Sequence, residues 1–171
     1  HLLADWQAQG AQLHFFSPLA NEAPADDADA VFLPGGYPEL HGALLANAQN
    51  FKQGMHRASE RDALIYGECG GYMVLGESLT DKSGNSFEMT GLLPLQTAIN
   101  RPRRQLGYRR LSHKSILPWP SDLLGHEFHY STELKRDGDP LFRASDAEAN
   151  AVGQMGLHRS RILGSYAHII D

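Results

Sequence analysis

Residues 63–75 have the sequence ALIYGECGGYMVL. The apolar run at 63–66 is short and is followed by a glycine, which is typical of a buried parallel strand. The residues from Tyr72 onward have the composition of a helix. Cys69 therefore lies among glycines at the point where a strand turns into a helix. Because strand-like and helical stretches alternate along this half of the chain, we predict the α/β class with a mostly parallel central sheet.

A cysteine in such a turn has the setting of a nucleophile. The glycines permit the sharp bend and let a substrate approach the backbone. The start of a helix favours a thiolate, and the N–H group of Gly70 points at a developing oxyanion. The alternative is that Cys69 is a small buried core residue, which is the commoner fate of a lone cysteine. The flanking glycines and the strand–helix context favour catalysis.

Composition narrows the class of protein. A length of 171 residues predicts one domain, and 42% hydrophobic with 20% charged residues is ordinary for a globular core. A net charge of −5 argues against nucleic acid as the main ligand. A single cysteine excludes an intrachain disulfide and fits a reducing compartment. No apolar stretch approaches the roughly 18 residues of a membrane span, and no signal peptide is visible, so we expect a cytoplasmic protein without membrane contact.

A basic cluster interrupts this acidic composition. It consists of Arg101, Arg103, Arg104, Arg109 and Arg110. Such a cluster either faces an anionic ligand or forms an ordinary solvated surface, and the second is the commoner case.

The rest of the chain adds further elements. We predict a helix at the start, strands at 12–16 and 30–33, helical structure at 43–60, and β-like runs at 92–99, 105–112, 125–131, 151–158 and 162–170. Because the chain begins at His1 in a helical pattern, we expect a fragment of a longer protein whose first strand lies upstream. In a doubly wound sheet that strand is normally central, beside the strand at 63–66.

A second glycine pair follows the strand at 30–33, in Pro34-Gly35-Gly36-Tyr37. Ligands bind at the carboxyl ends of parallel strands, and adjacent glycines present backbone N–H groups to anions there. Gly36 and Gly70 together would form an oxyanion hole. A plain tight turn is the alternative.

Histidines supply the partner that a cysteine nucleophile needs. His168 lies near the end of the last predicted strand. In the segment GHEFHYS at 125–131, alternation puts His126 on one face, and Glu127 with His129 on the other. Glu127 and His129 fit a carboxylate–imidazole pair better than a metal site, because no third ligand stands beside them. We therefore predict no metal.

Four segments follow one another along the chain: PGGYPE at 34–39, GECGGYM at 67–73, GHEFHYS at 125–131 and GSYAH at 164–168. Together they resemble the C-terminal glutamine amidotransferase domain of the cobyrinic acid a,c-diamide synthases, which act in cobalamin biosynthesis. The likeness covers nearly the whole chain, 1–171. The cysteine turn is shared by all class I glutamine amidotransferases, whereas the GHEFHYS segment is much more specific.

The resemblance implies a three-layer flavodoxin-like fold with antiparallel additions. It also implies that Cys69 attacks the carboxamide of glutamine, and that His168 is its base and later the acid for ammonia. The backbone of Gly36 and Gly70 would be the oxyanion hole. The remaining candidates for binding substrate or orienting His168 are Tyr37, His126, Glu127 and His129.

The family also implies a partner. A covalently linked N-terminal synthetase domain uses ATP and Mg²⁺ to activate two acetate side chains of the corrinoid. That domain is absent here, since no Gly-x-x-x-x-Gly-Lys-[Ser/Thr] motif occurs, and we expect this domain to bind no cofactor itself. Its small-molecule partners would be glutamine and the corrinoid. The sequence does not decide whether the protein forms a homodimer.

One position departs from the usual class I pattern, in which a Glu two residues after the His orients it. Here that position is Ile170, and Asp171 would point to the opposite face. A backbone carbonyl or Glu127 are the candidates to orient His168. If Glu127 does so, Glu127→Gln should lower glutamine hydrolysis by orders of magnitude.

Other functions stay open on the sequence. A sister enzyme, cobyric acid synthase or a cell-wall amidotransferase, has the same glutaminase domain, but the GHEFHYS segment favours the diamide synthases. A non-catalytic amidotransferase-like module would be expected to have lost Cys69 or His168. A cysteine protease shares the cysteine turn but leaves the other segments unexplained.

Overall fold

A computed structural model describes residues 2–100 and 104–170. The helices are α1 (Leu2–Ala8), α2 (Gly42–Asn47), α3 (Gln49–Glu60) and α4 (Gly70–Leu75). The strands are β1 (Ala30–Leu33), β2 (Leu64–Glu68), β3 (Ser78–Thr80), β4 (Ser86–Glu88), β5 (Leu95–Ala98), β6 (Gln105–Ser112), β7 (Asp122–His129), β8 (Thr132–Arg136), β9 (Phe142–Ser145), β10 (Ala151–Met155), β11 (Leu157–Arg159), β12 (Ile162–Ser165) and β13 (His168–Ile169). None of the helices in these ranges is long and apolar enough to cross a membrane.

The central sheet has the strand order β1-β2-β12-β11. Strands β1, β2 and β12 are parallel, and β11 is antiparallel at the edge. The register aligns Leu33 and Gly164 with Gly67 of the middle strand. Because the three parallel strands end at the same edge, the segments that follow them converge there. The prediction of the α/β class is confirmed.

Two apolar clusters cover the two faces of this sheet. Ile65 of β2 packs with α3 and α4, through side chains such as Met55 and Leu75. The next residue, Tyr66, packs with Leu163 and with Phe142 of the second sheet. Alternate residues of a strand point to opposite faces, so β2 separates a helical layer from a layer of antiparallel strands.

The second sheet has the order β10-β9-β6-β7-β13, and all its neighbours are antiparallel. A third sheet, β4-β3-β5-β8, lies beside the end of α4, where Leu93 donates a backbone hydrogen bond to Leu75. The second sheet and the β4–β3 and β5–β8 pairs are the antiparallel additions that the resemblance implies, whereas β3 and β5 are parallel.

Residues 12–16 form no strand, contrary to the prediction. Their alternating pattern suits a strand, but no neighbouring strand among the described residues hydrogen-bonds to them. The expectation of a further strand beside β2 is also wrong, because β1 and β12 occupy both of its edges. Among the described residues, β1 is the parallel strand with a free edge.

The terminal stretch at 162–170 is two strands rather than one. β12 completes the central sheet, and β13 pairs with β7 in the second sheet. Between them the Oγ atom of Ser165 accepts a hydrogen bond of 3.1 Å from the N–H group of Ala167. This turn carries His168 across from one sheet to the other.

Candidate active site

Cys69 lies in a strained turn between β2 and α4. Its backbone has φ 49° and ψ −107°, a region that residues with a side chain rarely adopt. Such strain costs on the order of 1–3 kcal/mol and is typical of active sites. The N–H group of Cys69 donates a 2.8 Å hydrogen bond to the carbonyl of Ser165, which ties the turn to the end of β12.

Two glycines bring the neighbouring loop against this turn. A Cβ atom on Gly70 would lie 2.8 Å from the backbone nitrogen of Gly36, so the two backbones touch. A Cβ atom on Gly35 would lie 2.5 Å from Cε1 of His168. Neither the Gly36 nor the Gly70 N–H group donates to an acceptor within residues 2–100 and 104–170. Both donors are therefore available to a ligand beside Cys69.

His168 is the imidazole next to Cys69. A hydrogen bond with Cys69 and the nearby Glu68 carboxylate raise the pKa of His168 to about 10, although desolvation acts in the opposite direction. The ring is therefore cationic near neutral pH. The turn before α4 and the start of β13 thus bring a thiol and an imidazole to the same end of the central sheet.

The carboxylate beside His168 belongs to Glu68, not to Glu127 as the sequence suggested. Oε2 of Glu68 lies 3.5 Å from Nδ1 of His168. Its other oxygen, Oε1, accepts a 3.1 Å hydrogen bond from the N–H group of Ile169. Ile170, at the position of the usual class I Glu, leaves 40% of its surface exposed.

Glu127 faces a different set of groups. Its Oε2 accepts a 2.6 Å hydrogen bond from Nε of Arg109, and its Oε1 lies 3.3 Å from Nε2 of His129. Burial raises the pKa of Glu127, but the hydrogen bonds with His129 and Arg109 outweigh it and the net effect is a lowered pKa. Because Arg109 and His129 bind both oxygens of the Glu127 carboxylate, Glu127 does not orient His168.

The basic cluster is not one continuous surface. Arg109 is buried in the ion pair with Glu127, whereas Arg104 and Arg110 are exposed. Arg101 and Arg103 lie outside the described residues. Neither reading of the cluster, an anion-facing surface or a solvated one, holds for Arg109, since its guanidinium is buried and has an internal partner.

His126 and Tyr37 lie close to the Cys69–His168 pair. The ring centroids of His126 and His168 are 5.1 Å apart, and β7 and β13 pair these two residues directly. Nδ1 of His126 is buried without a hydrogen-bond partner in the described part of the chain. Tyr37 is exposed beside Gly36, at the mouth of the site.

A small cavity opens at Cys69. Its wall includes Gly36, Glu39, Phe128, His129 and Ser131. The backbone of the glycine loop forms one side and the end of β7 forms the other. The cavity therefore joins the Cys69 thiol, the backbone of Gly36 and the Glu39 carboxylate in one place.

The sequence profile of the CobB/CobQ-like glutamine amidotransferase domain matches residues 5–171. The chain belongs to this family. Its curated relatives include hydrogenobyrinate a,c-diamide synthase of Rhizobium meliloti (strain 1021), 49% identical over 172 residues, and the same-named protein of a Sinorhizobium species, 51% identical. Both alignments cover 100% of this chain and 40% of the relative, so the chain spans about two fifths of their length.

Solved structures agree on the fold of this amidotransferase domain. A glutamine amidotransferase from Thermotoga maritima superposes with a TM-score of 0.63 at 15% identity, covering 98% of this chain and 68% of the other. A second structure, of a putative GMP synthase subunit from Thermoplasma acidophilum, has a TM-score of 0.59 at 15% identity and covers 95% and 74%.

Two residues near the site are not among the sequence predictions. Glu68 directly precedes Cys69, and Tyr166 lies two residues before His168. The Tyr166 ring stacks on His129 with centroids 3.8 Å apart. Glu68 could have been found from the sequence, because it is an acidic residue at the carboxyl end of a predicted buried strand. Acidic side chains are rarely buried unless they have a partner.

Proposed function

We propose that this domain hydrolyses glutamine with Cys69 as the nucleophile and His168 as its acid and base. The observation that carries the proposal is the strained turn of Cys69, directly after Glu68, whose carboxylate lies 3.5 Å from Nδ1 of His168. Buried structural cysteines do not need such a backbone or such a partner. The free N–H groups of Gly36 and Gly70 beside it complete the set of groups for acyl transfer.

The geometry supports the following steps. The Cys69 sulfur attacks the carboxamide carbon of glutamine, and the oxyanion that forms accepts hydrogen bonds from Gly36 and Gly70. His168 gives its proton to the leaving nitrogen, which departs as ammonia and leaves a glutamyl thioester. Neutral His168 then takes a proton from water, which attacks the thioester and releases glutamate. The Glu39 carboxylate at the cavity attracts the α-ammonium group of the substrate.

The use of the ammonia is proposed from the relatives. They are named hydrogenobyrinate a,c-diamide synthase. We infer that ammonia from this domain amidates the a and c acetate side chains of hydrogenobyrinic or cobyrinic acid. ATP and Mg²⁺ would be bound by an N-terminal synthetase domain of the full-length protein. Among the described residues no three acidic, histidine or cysteine side chains cluster to hold a metal ion, and no step above uses either cofactor.

An exposed apolar face supports the presence of such a partner domain. Leu106 and Tyr108 of β6 and Phe128 of β7 are all exposed, and Leu106 pairs with Phe128 across the strands. Phe128 also lines the cavity at Cys69, so this face continues into the mouth of the site. Exposed apolar patches mark interaction sites. We infer that the part of the full-length protein outside this chain covers it, which would keep ammonia from solvent.

The full-length protein tests this function. Amidation of hydrogenobyrinic acid is measured with glutamine and, separately, with ammonium as nitrogen source, for the wild type and for Cys69→Ser. The proposal expects Cys69→Ser to lose the glutamine reaction and to keep the ammonium reaction. If wild type hydrolyses glutamine but amidates neither hydrogenobyrinic nor cobyrinic acid, the domain serves another synthetase.

A further inference from the structure

Glu68 is a buried carboxylate whose surroundings demand an explanation. Its side chain is 6% exposed. The ion pairs formed within residues 2–100 and 104–170 give it one ionisable partner, His168, and no lysine or arginine. Burying a charged carboxylate is costly unless it is paired and hydrogen-bonded. The fold therefore buries the Glu68 carboxylate with the imidazole of His168 as its ionisable partner among the described residues.

The two oxygens of Glu68 hold two parts of the same short strand. Oε1 accepts from the backbone N–H group of Ile169, and Oε2 faces Nδ1 of His168. The first contact fixes the backbone of β13 relative to the end of β2. The second faces one ring nitrogen of His168. A carboxylate at Nδ1 fixes the orientation of an imidazole and leaves Nε2 for chemistry.

We propose that Glu68 is the positioning residue of His168, so that the residue before the nucleophile supplies the carboxylate that orients its histidine. This inference rests on the function proposed above. The residue two positions after His168, Ile170, carries no carboxylate, and Glu127 is held by Arg109 and His129. Glu68 reaches His168 because the turn between β12 and β13 brings the histidine over the end of β2.

The proposal has a consequence for the pH dependence of the reaction. Among the described residues, the side chains that face His168 include Cys69 from the turn before α4, Glu68 from β2, and His126 from β7. The loop after β1 brings the backbone of Gly35 against the ring. Of these groups, Glu68 carries a carboxylate, whose negative charge favours the protonated form of His168. Removing its charge therefore lowers the pKa of His168 toward the ordinary value, and the protonated form is lost at a lower pH.

The test uses the full-length protein and measures glutamate release across pH. In Glu68→Gln the amide oxygen still accepts from Ile169, so the backbone contact is kept while the charge is lost. We expect kcat to fall about 10- to 100-fold with KM within about twofold, since Glu68 does not line the cavity. The alkaline limb of the kcat/KM profile should move down by about one pH unit. Glu68→Asp, which keeps the charge, should fall between the two.

The controls separate this inference from the function on which it rests. Glu60→Gln removes an equal charge at the exposed end of α3 and should leave both kcat and the profile unchanged. A Glu68→Gln enzyme with wild-type kcat, or with lower kcat but an unmoved alkaline limb, overturns the positioning role while leaving the glutaminase proposal intact. If Cys69→Ser still hydrolyses glutamine, both proposals fail together.

Discussion

The ring of Tyr166 lies flat on the ring of His129, with centroids 3.8 Å apart and an angle of 9° between the planes. Tyr166 belongs to the turn between β12 and β13, and His129 ends β7. The stack therefore presses the turn that carries His168 against a wall of the cavity. Packing of this kind helps to fix the position of His168.

Tyr166 should matter through its ring and not through its hydroxyl. The ring is buried, and its OH group has no hydrogen-bond partner in the described part of the chain. Tyr166→Ala should cost about 3–5 kcal/mol of stability because it leaves a cavity, and should lower glutaminase activity. Tyr166→Phe should change the stability by less than about 1 kcal/mol. Denaturant unfolding of both variants measures this difference, and equal losses would contradict it.

The ion pair of Arg109 and Glu127 should be sensitive to removal of one partner. Both side chains are buried, and Arg109→Leu leaves the Glu127 carboxylate without its cation. We expect a loss of about 3–5 kcal/mol for Arg109→Leu. The double variant Arg109→Leu with Glu127→Gln should lose less than the sum of the single changes, because no buried charge is left behind.

A double-mutant cycle on unfolding free energies measures this coupling. Glu127→Gln alone is expected to act on stability, and glutamate release by the folded variant should stay within about tenfold of wild type. If Glu127→Gln has normal stability but loses activity by several orders of magnitude, Glu127 orients His168 after all.

Gly35 should tolerate no side chain. A Cβ atom there would lie 2.5 Å from Cε1 of His168, closer than real contacts, so the imidazole must move. Displacing a catalytic group by about 1 Å costs roughly 100-fold in rate. We expect Gly35→Ala to lower glutamate release by that order while keeping ammonium-dependent amidation.

The neighbouring glycine is the matched comparison. A Cβ atom on Gly36 would meet nothing within 4 Å, and alanine keeps the backbone N–H group. Gly36→Ala should therefore lose much less activity than Gly35→Ala. The reverse order would show that the clash with His168 is not what limits this loop.

His168 should titrate far above an ordinary histidine. Its contacts with Cys69 and Glu68 raise the pKa to about 10, against 6.5 for a free side chain. Because the folded value is the higher one, the contribution to stability is fully present below about pH 6.5 and is lost as the pH rises through about 10. Carbon-13 NMR of labelled histidines, with the signal assigned by its absence in His168→Gln, measures the titration. A midpoint near 6.5 would mean that neither contact forms in solution.

Local patterns predict the cysteine turn well, and long-range contacts explain what they miss. The strand, the glycines and Cys69 are contiguous, so residues 63–75 define the turn by themselves. Glu68 is in the same stretch, but its role depends on a turn almost 100 residues later, which no local pattern reveals. Alternation assigns Glu127 to the correct face of β7, yet it does not identify Arg109 as its partner. Residues 12–16 alternate like a strand, but a strand also needs a neighbour to hydrogen-bond.

The exposed apolar face should couple the two reactions of the full-length protein. Leu106 is 61% exposed on β6 and pairs across the strands with Phe128, which lines the cavity. A lysine at 106 would place a charge in the proposed domain contact, where burial without a partner is costly. Glutamate release should then stay within about twofold, since Leu106 is not in the wall of the cavity. The ratio of amide formed to glutamate released should fall several-fold, because ammonia escapes to solvent.

Val152→Lys is the control for this variant. Val152 is 46% exposed, but it lies on β10, at the edge of the second sheet opposite β13. The same charge there should leave the ratio of amide to glutamate unchanged. If Leu106→Lys also leaves it unchanged, the domain contact lies elsewhere. If both variants lower it equally, a general effect of the added charge replaces the contact as the explanation.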